Sequence, residues 1–236
     1  MIPVWLDILA ALSIIAAILS ALVIVLDLRK RPQAMAVMNP VWPVTALYFG
    51  PLGLWAYWRL GRAAAPEHHA GHKHHGHHAH HHHHNHDRPF WVEVFAGTSH
   101  CGAGCTLGDI AAEFLVFFGG LAIMGSVFTA QLVLDYAFAF LLGIVFQFYS
   151  IAPMRGLGVR DGVKAAIKAD FWSLTSFEIG LFAWMALTRF VFFGPGLLPD
   201  SPVYWFMMQI GMVIGFATAF PMNWLLIKTG VKEPCM

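Results

Sequence analysis

The stretch WLDILAALSIIAAILSALVIVLDL, residues 5–28, decides the class of fold. Its only charged residues are Asp7 and Asp27, and the run between its ends is long enough to cross the ~30 Å hydrocarbon core of a bilayer. It lacks the basic start and the small-residue cleavage site of a secretory signal peptide. We therefore expect it to remain in the protein as a membrane-spanning helix.

The composition of the rest of the chain agrees with a membrane protein. Of the 236 residues 58% are hydrophobic and 11% are charged, whereas a soluble domain usually has about 25% charged residues. The net charge of +1 provides no basic surface for nucleic acid, so we expect no nucleic-acid partner. Three cysteines do not make a disulfide framework.

Outside the first span, five further segments read as membrane-crossing helices. The segment at 40–58 is the weakest because three prolines interrupt it, and a buried or re-entrant segment is the alternative there. We expect an all-α polytopic membrane helix bundle of about six transmembrane helices. Its parts are two N-terminal helices in residues 1–60, a disordered His-rich loop in 61–97 and a four-helix core in 98–236. The remaining expected spans are residues 109–128, 132–151, 172–193 and 203–227.

The distribution of Lys and Arg predicts the orientation of these spans. With six spans and both termini inside, ten of the 14 Lys and Arg residues face the cytoplasm, as the positive-inside rule favours. The cluster Arg29–Lys30–Arg31 then lies on the opposite side. We expect a bacterial inner-membrane protein whose His-rich loop is cytoplasmic and whose Cys101 and Cys105 stay reduced.

A histidine-rich segment precedes the expected core. Residues 68–86 contain 13 of the 14 histidines, interleaved with Gly, Ala and Lys. Such a segment cannot bury a core, and imidazole suits zinc, nickel, copper and cobalt. A polar spacer with no metal role is the alternative. The loop residues that we predict to bind metal are His74, His75, His77, His78, His80, His81, His82, His83 and His84.

The motif HCGAGCTLGDIAAE, residues 100–113, places thiols and carboxylates at a helical spacing. Cys101, Cys105, Asp109 and Glu113 recur every four residues, so a helix places them along one side. Both side-chain types hold metal ions, and an ionised carboxylate at mid-bilayer costs about 2.5–3.5 kcal/mol unless something offsets it. His100 is a further candidate ligand. The alternative is that Asp109 caps the third helix and the cysteines pack in a Gly-rich loop.

Later spans hold further candidates for the same site. Glu178 lies deep in the fifth span, where an ionisable residue marks a functional site by default, while Asp170 reads as a cap near the start of that span. Met208 and Met212 are one turn apart on the sixth span. Thioether sulfur favours Cu(I), although methionine is also a common apolar filler. These residues favour copper as the predicted metal, and zinc, nickel and cobalt stay open as alternatives.

Five motifs resemble a known family. They are TSHCGAGCTLGD at 98–109, SIAPMRGLG at 150–158, KAD at 168–170 with SLT at 173–175, WFMMQIGM at 205–212 and PMNWLLIK at 221–228. Together they are similar to the bacterial integral-membrane family catalogued as domain of unknown function 4396, over residues near 98–232. The resemblance implies a four-helix membrane core with the first two spans and the His-rich loop added at its N-terminus, and it implies no activity.

We expect a protein that binds and translocates a transition-metal ion. Cys101 and Cys105, with His100, would capture the ion, and Asp109 and Glu113 would relay it. Glu178, Gln209 and the two methionines would line the facing wall, with the His-rich loop as a buffer.

Other classes of function stay open. One is a membrane-embedded metalloenzyme or haem-linked redox protein, and another is a structural subunit of a membrane complex. Since no nucleophile elbow, phosphate loop or dinucleotide motif is present, an enzyme is the less favoured reading. The expected partners are the metal ion and the bilayer, with a homo-oligomer as an option.

Overall fold

The computed structural model describes residues 2–63 and 89–233, which form a helical bundle without a strand. The all-α class is therefore confirmed. The nine loop histidines predicted to bind metal lie outside the described residues, as does Cys235. Seven α-helices are present in the described part: α1 Val4–Leu28, α2 Met38–Phe49, α3 Pro51–Ala56, α4 Phe90–Gly119, α5 Val127–Arg155, α6 Val159–Leu187 and α7 Pro202–Lys228.

Five of these helices are long and apolar enough to cross a membrane, namely α1, α4, α5, α6 and α7. Their bounds differ most from expectation in α4, which begins at Phe90 rather than at 109. It ends at Gly119, where Gly120 takes a left-handed conformation with φ of 59°. Cys101 and Cys105 consequently lie in the middle of a 30-residue helix rather than in a loop before it.

The segment expected as the second span is a helical hairpin instead of one crossing. Gly50, with φ of 58°, separates α2 from α3, and Pro51 begins α3. On the returning arm, Tyr57 packs edge-on against Trp42 of the entering arm, with ring centroids 5.6 Å apart. Tyr57 Oη also donates to Asp27 Oδ2, at 2.8 Å. Both arms therefore meet near the C-terminal end of α1, so the segment enters and leaves at one end of the bundle.

The entering arm of this hairpin bonds to the interior of the bundle close to its tip. Leu47 O accepts a hydrogen bond of 2.7 Å from Gln209 Nε2 on α7, and Ser13 Oγ of α1 donates to Gln209 Oε1 at 2.8 Å. Broken helices are tolerated at membrane depth where they are buried in protein. Gly50 and most of the entering arm are buried against α1, α4 and α7, whereas Pro51 and Leu52 at the tip are exposed. The left-handed Gly50 followed by Pro51 explains why the chain turns back there.

Five crossings with a hairpin put the two termini at opposite ends of the bundle. Phe90 at the start of α4 packs on Trp224 near the end of α7, with ring centroids 4.8 Å apart. The end of the bundle that holds Leu28, Phe90 and Lys228 is called the basic end below. Of the twelve Lys and Arg in the described residues, all but Arg189 lie at the basic end or within about three helical turns of that end. The cluster Arg29–Lys30–Arg31 thus joins the other basic residues.

This topology predicts opposite labelling of two positions near the termini. In a chain with Cys235→Ser, an impermeant maleimide should label Pro3→Cys and Lys228→Cys from opposite faces of the membrane, since both positions are exposed. The native Cys101 and Cys105 are buried and should stay unlabelled. A bundle with six crossings would show both engineered cysteines on one face.

Close helix contacts in the core depend on glycine. A Cβ added at Gly108 would lie 2.5 Å from Ala139 Cα, and one added at Gly104 would lie 3.0 Å from Gly143 Cα. Small residues let helix backbones approach closely in membranes. These contacts draw α4 against α5 and set the depth at which the polar residues of both helices meet.

Candidate functional site

The predicted ladder on α4 faces the interior of the bundle. Cys101, Cys105, Asp109 and Glu113 are each at most 2% exposed. Because α4 is one continuous helix over these residues, the spacing of four keeps the thiols and carboxylates along one side. The interpretation of Asp109 as a helix cap does not hold, because Asp109 is the twentieth residue of α4.

Acidic side chains from two other helices meet this ladder. Asp109 has Glu113, Asp135 of α5 and Glu178 of α6 within electrostatic range. The Cys105 thiol lies beside the Glu178 carboxyl group. We call the six side chains of this set the thiol–carboxylate row: Cys101, Cys105, Asp109, Glu113, Asp135 and Glu178.

One end of the row opens into a small cavity. Gln131 Nε2 donates to Glu113 Oε2 at 2.7 Å and to Tyr204 Oη at 3.0 Å. The cavity beside them has a volume of about 20 Å³ and also touches Asp135 and Met208. That volume is enough for about one water molecule. Residues from the α6–α7 connection complete the lining at the end opposite the basic end: Thr188, Arg189, Gly194 and Leu197.

The row continues toward the basic end through a buried ion pair. The Cys101 thiol lies beside Asp170, and Lys232 Nζ is 3.8 Å from Asp170 Oδ1. The prediction that Asp170 caps its helix is wrong, because α6 begins at Val159 and Asp170 is 1% exposed in its interior. Ionisable groups thus extend from the cavity to the C-terminal segment.

Several carboxylates of the row lack hydrogen-bond partners. Within residues 2–63 and 89–233, both oxygens of Asp109, both of Glu178 and Oδ1 of Asp135 accept no well-formed hydrogen bond. Buried charges are ordinarily paired or coordinate metals, and each isolated carboxylate costs about 2.5–3.5 kcal/mol at mid-bilayer. Protons or cations on the row would remove that cost.

The sulfur atoms of α7 lie near the row. Met208 is 1% exposed and lines the cavity with Glu113 and Asp135. Met212 is 3% exposed, and its sulfur accepts a hydrogen bond from Thr106 Oγ1 of α4 at 3.6 Å. Both predicted methionines therefore face the helix that bears the ladder.

Two other predicted residues point elsewhere. His100 is buried against α5, where its ring meets Phe146 edge-on with centroids 6.0 Å apart. His100 and Gly104 are four residues apart, so they lie on the same side of α4, and that side faces α5. The ladder residue that follows His100 points about 100° away from it. Gln209 bonds to α1 and to the hairpin, so it does not line the wall opposite the ladder.

The donors of the row are arranged in succession. Across the described part of the chain, no group of three or more His, Cys, Asp and Glu side chains converges as a metal site would require. The arrangement offers neighbouring pairs, such as Cys105 with Glu178, rather than one closed coordination shell.

Sequence reasoning left several residues out of this site. Gln131 and Asp135 are four apart at the start of α5, a spacing that indicates a shared face. Tyr204 lies at the start of the expected sixth span, where an aromatic side chain is typical of a membrane interface. Lys232 follows the last span and has no sequence feature that sets it apart from an ordinary cytoplasmic lysine.

The fold and the row define a class: a polytopic helical membrane protein with ionisable side chains buried across its core. Residues 90–232 match the family model described as Domain of unknown function (DUF4396), and the chain belongs to that family. The match begins where α4 begins, so it covers α4 to α7 and leaves α1 and the hairpin outside. No curated protein and no solved structure matches the chain.

Proposed function

We propose that this protein is a transporter that moves a transition-metal cation across the membrane along the thiol–carboxylate row, with Cu(I) as the favoured ion. The single observation that supports the proposal is the continuity of the row through the bundle. It runs from the cavity at Glu113, through Asp109 and Cys105, to Cys101 beside Asp170.

The donor types favour a soft cation. Thiolate and thioether ligands select Cu(I), and Cys101, Cys105, Met208 and Met212 supply four sulfur atoms to the interior. Passage also requires binding that is weak or shared among several sites, so that the ion can leave each one. A succession of donor pairs meets this requirement better than a closed site does.

The unpartnered carboxylates favour transport over a purely structural role. In a structural subunit, we would expect Asp109 and Glu178 to be satisfied by neighbouring helices, and within the described residues they are not. Such carboxylates can exchange a proton for a metal cation. Proton counter-transport is therefore the coupling that we propose.

The basic end defines the orientation that we propose. Because positive charge marks the cytoplasmic side, we place the basic end in the cytoplasm of an inner membrane. The histidines lie in sequence between the hairpin and α4, whose neighbouring ends are both at the basic end. We therefore propose that they buffer the metal ion on the cytoplasmic side.

Flux into liposomes tests the function directly. We expect the purified full-length protein in proteoliposomes to accelerate Cu(I) entry, and an imposed proton gradient to change the rate. Zn²⁺, Ni²⁺ and Co²⁺ serve as competing cargo, and empty liposomes as the control. No flux of any of these ions, with or without the gradient, would refute transport. Metal retained in stoichiometric amount after exhaustive chelation, or a visible absorption band, would favour a redox protein instead.

A further inference from the structure

The C-terminal segment returns into the bundle after α7. The backbone N–H groups of Val231 and Lys232 both donate to Leu226 O, at 3.0 and 3.1 Å. This turn buries the Lys232 side chain completely, with 0% exposure. A lysine is almost never fully buried unless it is paired, and the groups around this ammonium supply that pairing.

Three oxygen atoms from three helices surround the Lys232 ammonium. Nζ donates to Asn223 Oδ1 of α7 at 2.9 Å and to Gly97 O of α4 at 3.3 Å, and it lies 3.8 Å from Asp170 Oδ1 of α6. Both Asp170 oxygens lack a well-formed hydrogen bond within the described residues, although Asp170 is 1% exposed. The carboxylate is thus directed at the site without another strong partner.

The oxygens are held in place by contacts that do not involve Lys232. Asn223 Nδ2 donates to Ser173 Oγ at 2.6 Å and to Ala219 O at 3.0 Å, which turns its amide oxygen toward the site. The Asp170 carboxylate lies against Gly143, where a Cβ atom would collide with Oδ2. The arrangement therefore belongs to the helix bundle and not to the lysine.

We propose that Gly97 O, Asp170 and Asn223 form a binding site for a hard monovalent cation of the alkali type, which the Lys232 ammonium fills in this structure. Carboxylate, amide and carbonyl oxygens are the ligands of hard cations, and one carboxylate balances one positive charge. This site differs in donor type from the sulfur-rich part of the row. It sits where the row reaches the basic end, so on the proposed function Lys232 has to leave before an ion can pass.

A second contact of the C-terminal segment is an exposed ion pair. Arg155 Nη2 pairs with Glu233 Oε1 at 2.7 Å, with side chains 41% and 35% exposed. Exposed pairs of this kind contribute little and are screened by salt. Of these two contacts of the described C-terminal residues, the one made by Lys232 is the one shielded from solvent.

Replacement of the lysine tests the site. In the full-length protein at pH 8, Lys232→Met removes the ammonium and leaves the oxygens. We expect its unfolding midpoint in detergent to rise saturably, by about 5 °C, when NaCl, KCl or RbCl replaces choline chloride at equal ionic strength. The wild type and the control Lys228→Met, an exposed position at the C-terminal end of α7 and four residues before Lys232, should show no difference between these salts.

A double variant identifies the carboxylate. Asp170→Asn combined with Lys232→Met should fold and lose the response to alkali cations. The proposal is overturned if Lys232→Met responds to alkali salts no more than to choline, if the double variant responds as strongly, or if Lys232→Met folds in none of the salts. The measurement reports binding alone, so its outcome is independent of whether the protein transports a metal.

Discussion

Glu178→Gln is expected to lower metal flux in proteoliposomes at least about tenfold and to raise the unfolding temperature of the protein. The two effects have opposite signs for a physical reason. Glu178 is 1% exposed, and neither carboxylate oxygen accepts a well-formed hydrogen bond within the described residues. An ionised, unpaired carboxylate at this depth costs about 2.5–3.5 kcal/mol, and a neutral amide of nearly the same shape has a smaller desolvation cost.

The loss of flux has a different origin. Glu178 is the group of α6 that meets both Asp109 and Cys105, so it connects the carboxylates of the row with the thiols. Without its charge, a cation at this position loses its nearest anionic ligand. A lost favourable interaction of about 1.4 kcal/mol already corresponds to a tenfold change.

A matched variant separates this effect from a general loss of acidic charge. Glu93→Gln makes the same chemical change in the first turn of α4, where the side chain is partly exposed, and should leave flux and stability unchanged. Unaltered flux in Glu178→Gln would contradict the role of Glu178 in the path. Loss of flux together with loss of folded protein would show that Glu178 stabilises the bundle instead.

The sequence predicted the long apolar helices because α1, α5 and α7 face lipid over much of their length. It missed the first half of α4 for the converse reason. Of the most apolar 18-residue window of α4, 61% is buried by the rest of the protein. A helix shielded by its neighbours need not be apolar, so the small and polar residues between Thr98 and Thr106 were not predicted to lie within a membrane span.

Hydropathy did not decide between one crossing at 40–58 and the buried or re-entrant segment that its prolines left open. Its two arms, of 12 and 6 residues with a π-helical turn after them, together have the length of one span. The choice between one crossing and a turn at Gly50 depends on the interior contacts of Leu47 and Trp42. Leu47 contacts α7, and Trp42 contacts the returning arm of the hairpin. No local sequence pattern reveals either contact.

The sequence predicted one part of the candidate site and missed another part. The spacing of four on α4 predicted which thiols and carboxylates share a face, because helix periodicity is local. The partners of that face come from α5, α6 and the C-terminal segment, and only packing shows them. Asp135 and Lys232 were therefore absent from the predicted site, and His100 was included although it faces α5.

The identity of the cargo depends on the two cysteines, and their replacement is expected to give the second large effect. We expect the double variant Cys101→Ser and Cys105→Ser to bind Cu(I) at least about tenfold more weakly than the parent protein. Serine has nearly the shape of cysteine, but its hydroxyl is a hard donor that does not replace a thiolate for a soft ion. Competition with a chromophoric Cu(I) chelator measures the change.

The histidine segment would mask this effect, so the measurement also needs a chain that lacks residues 66–88. In that chain, Cys235→Ser is the matched control, because it makes the same substitution at a cysteine that is not one of the six side chains of the row, and it should leave Cu(I) affinity unaltered. Met208→Leu and Met212→Leu should each weaken binding less than the cysteine pair does, because a thioether is neutral and a thiolate is charged. If the chain without residues 66–88 binds Cu(I) equally well with and without its cysteines, the row is not selective for a soft metal. The unpartnered carboxylates would then favour protons or hard cations as the species that move along it.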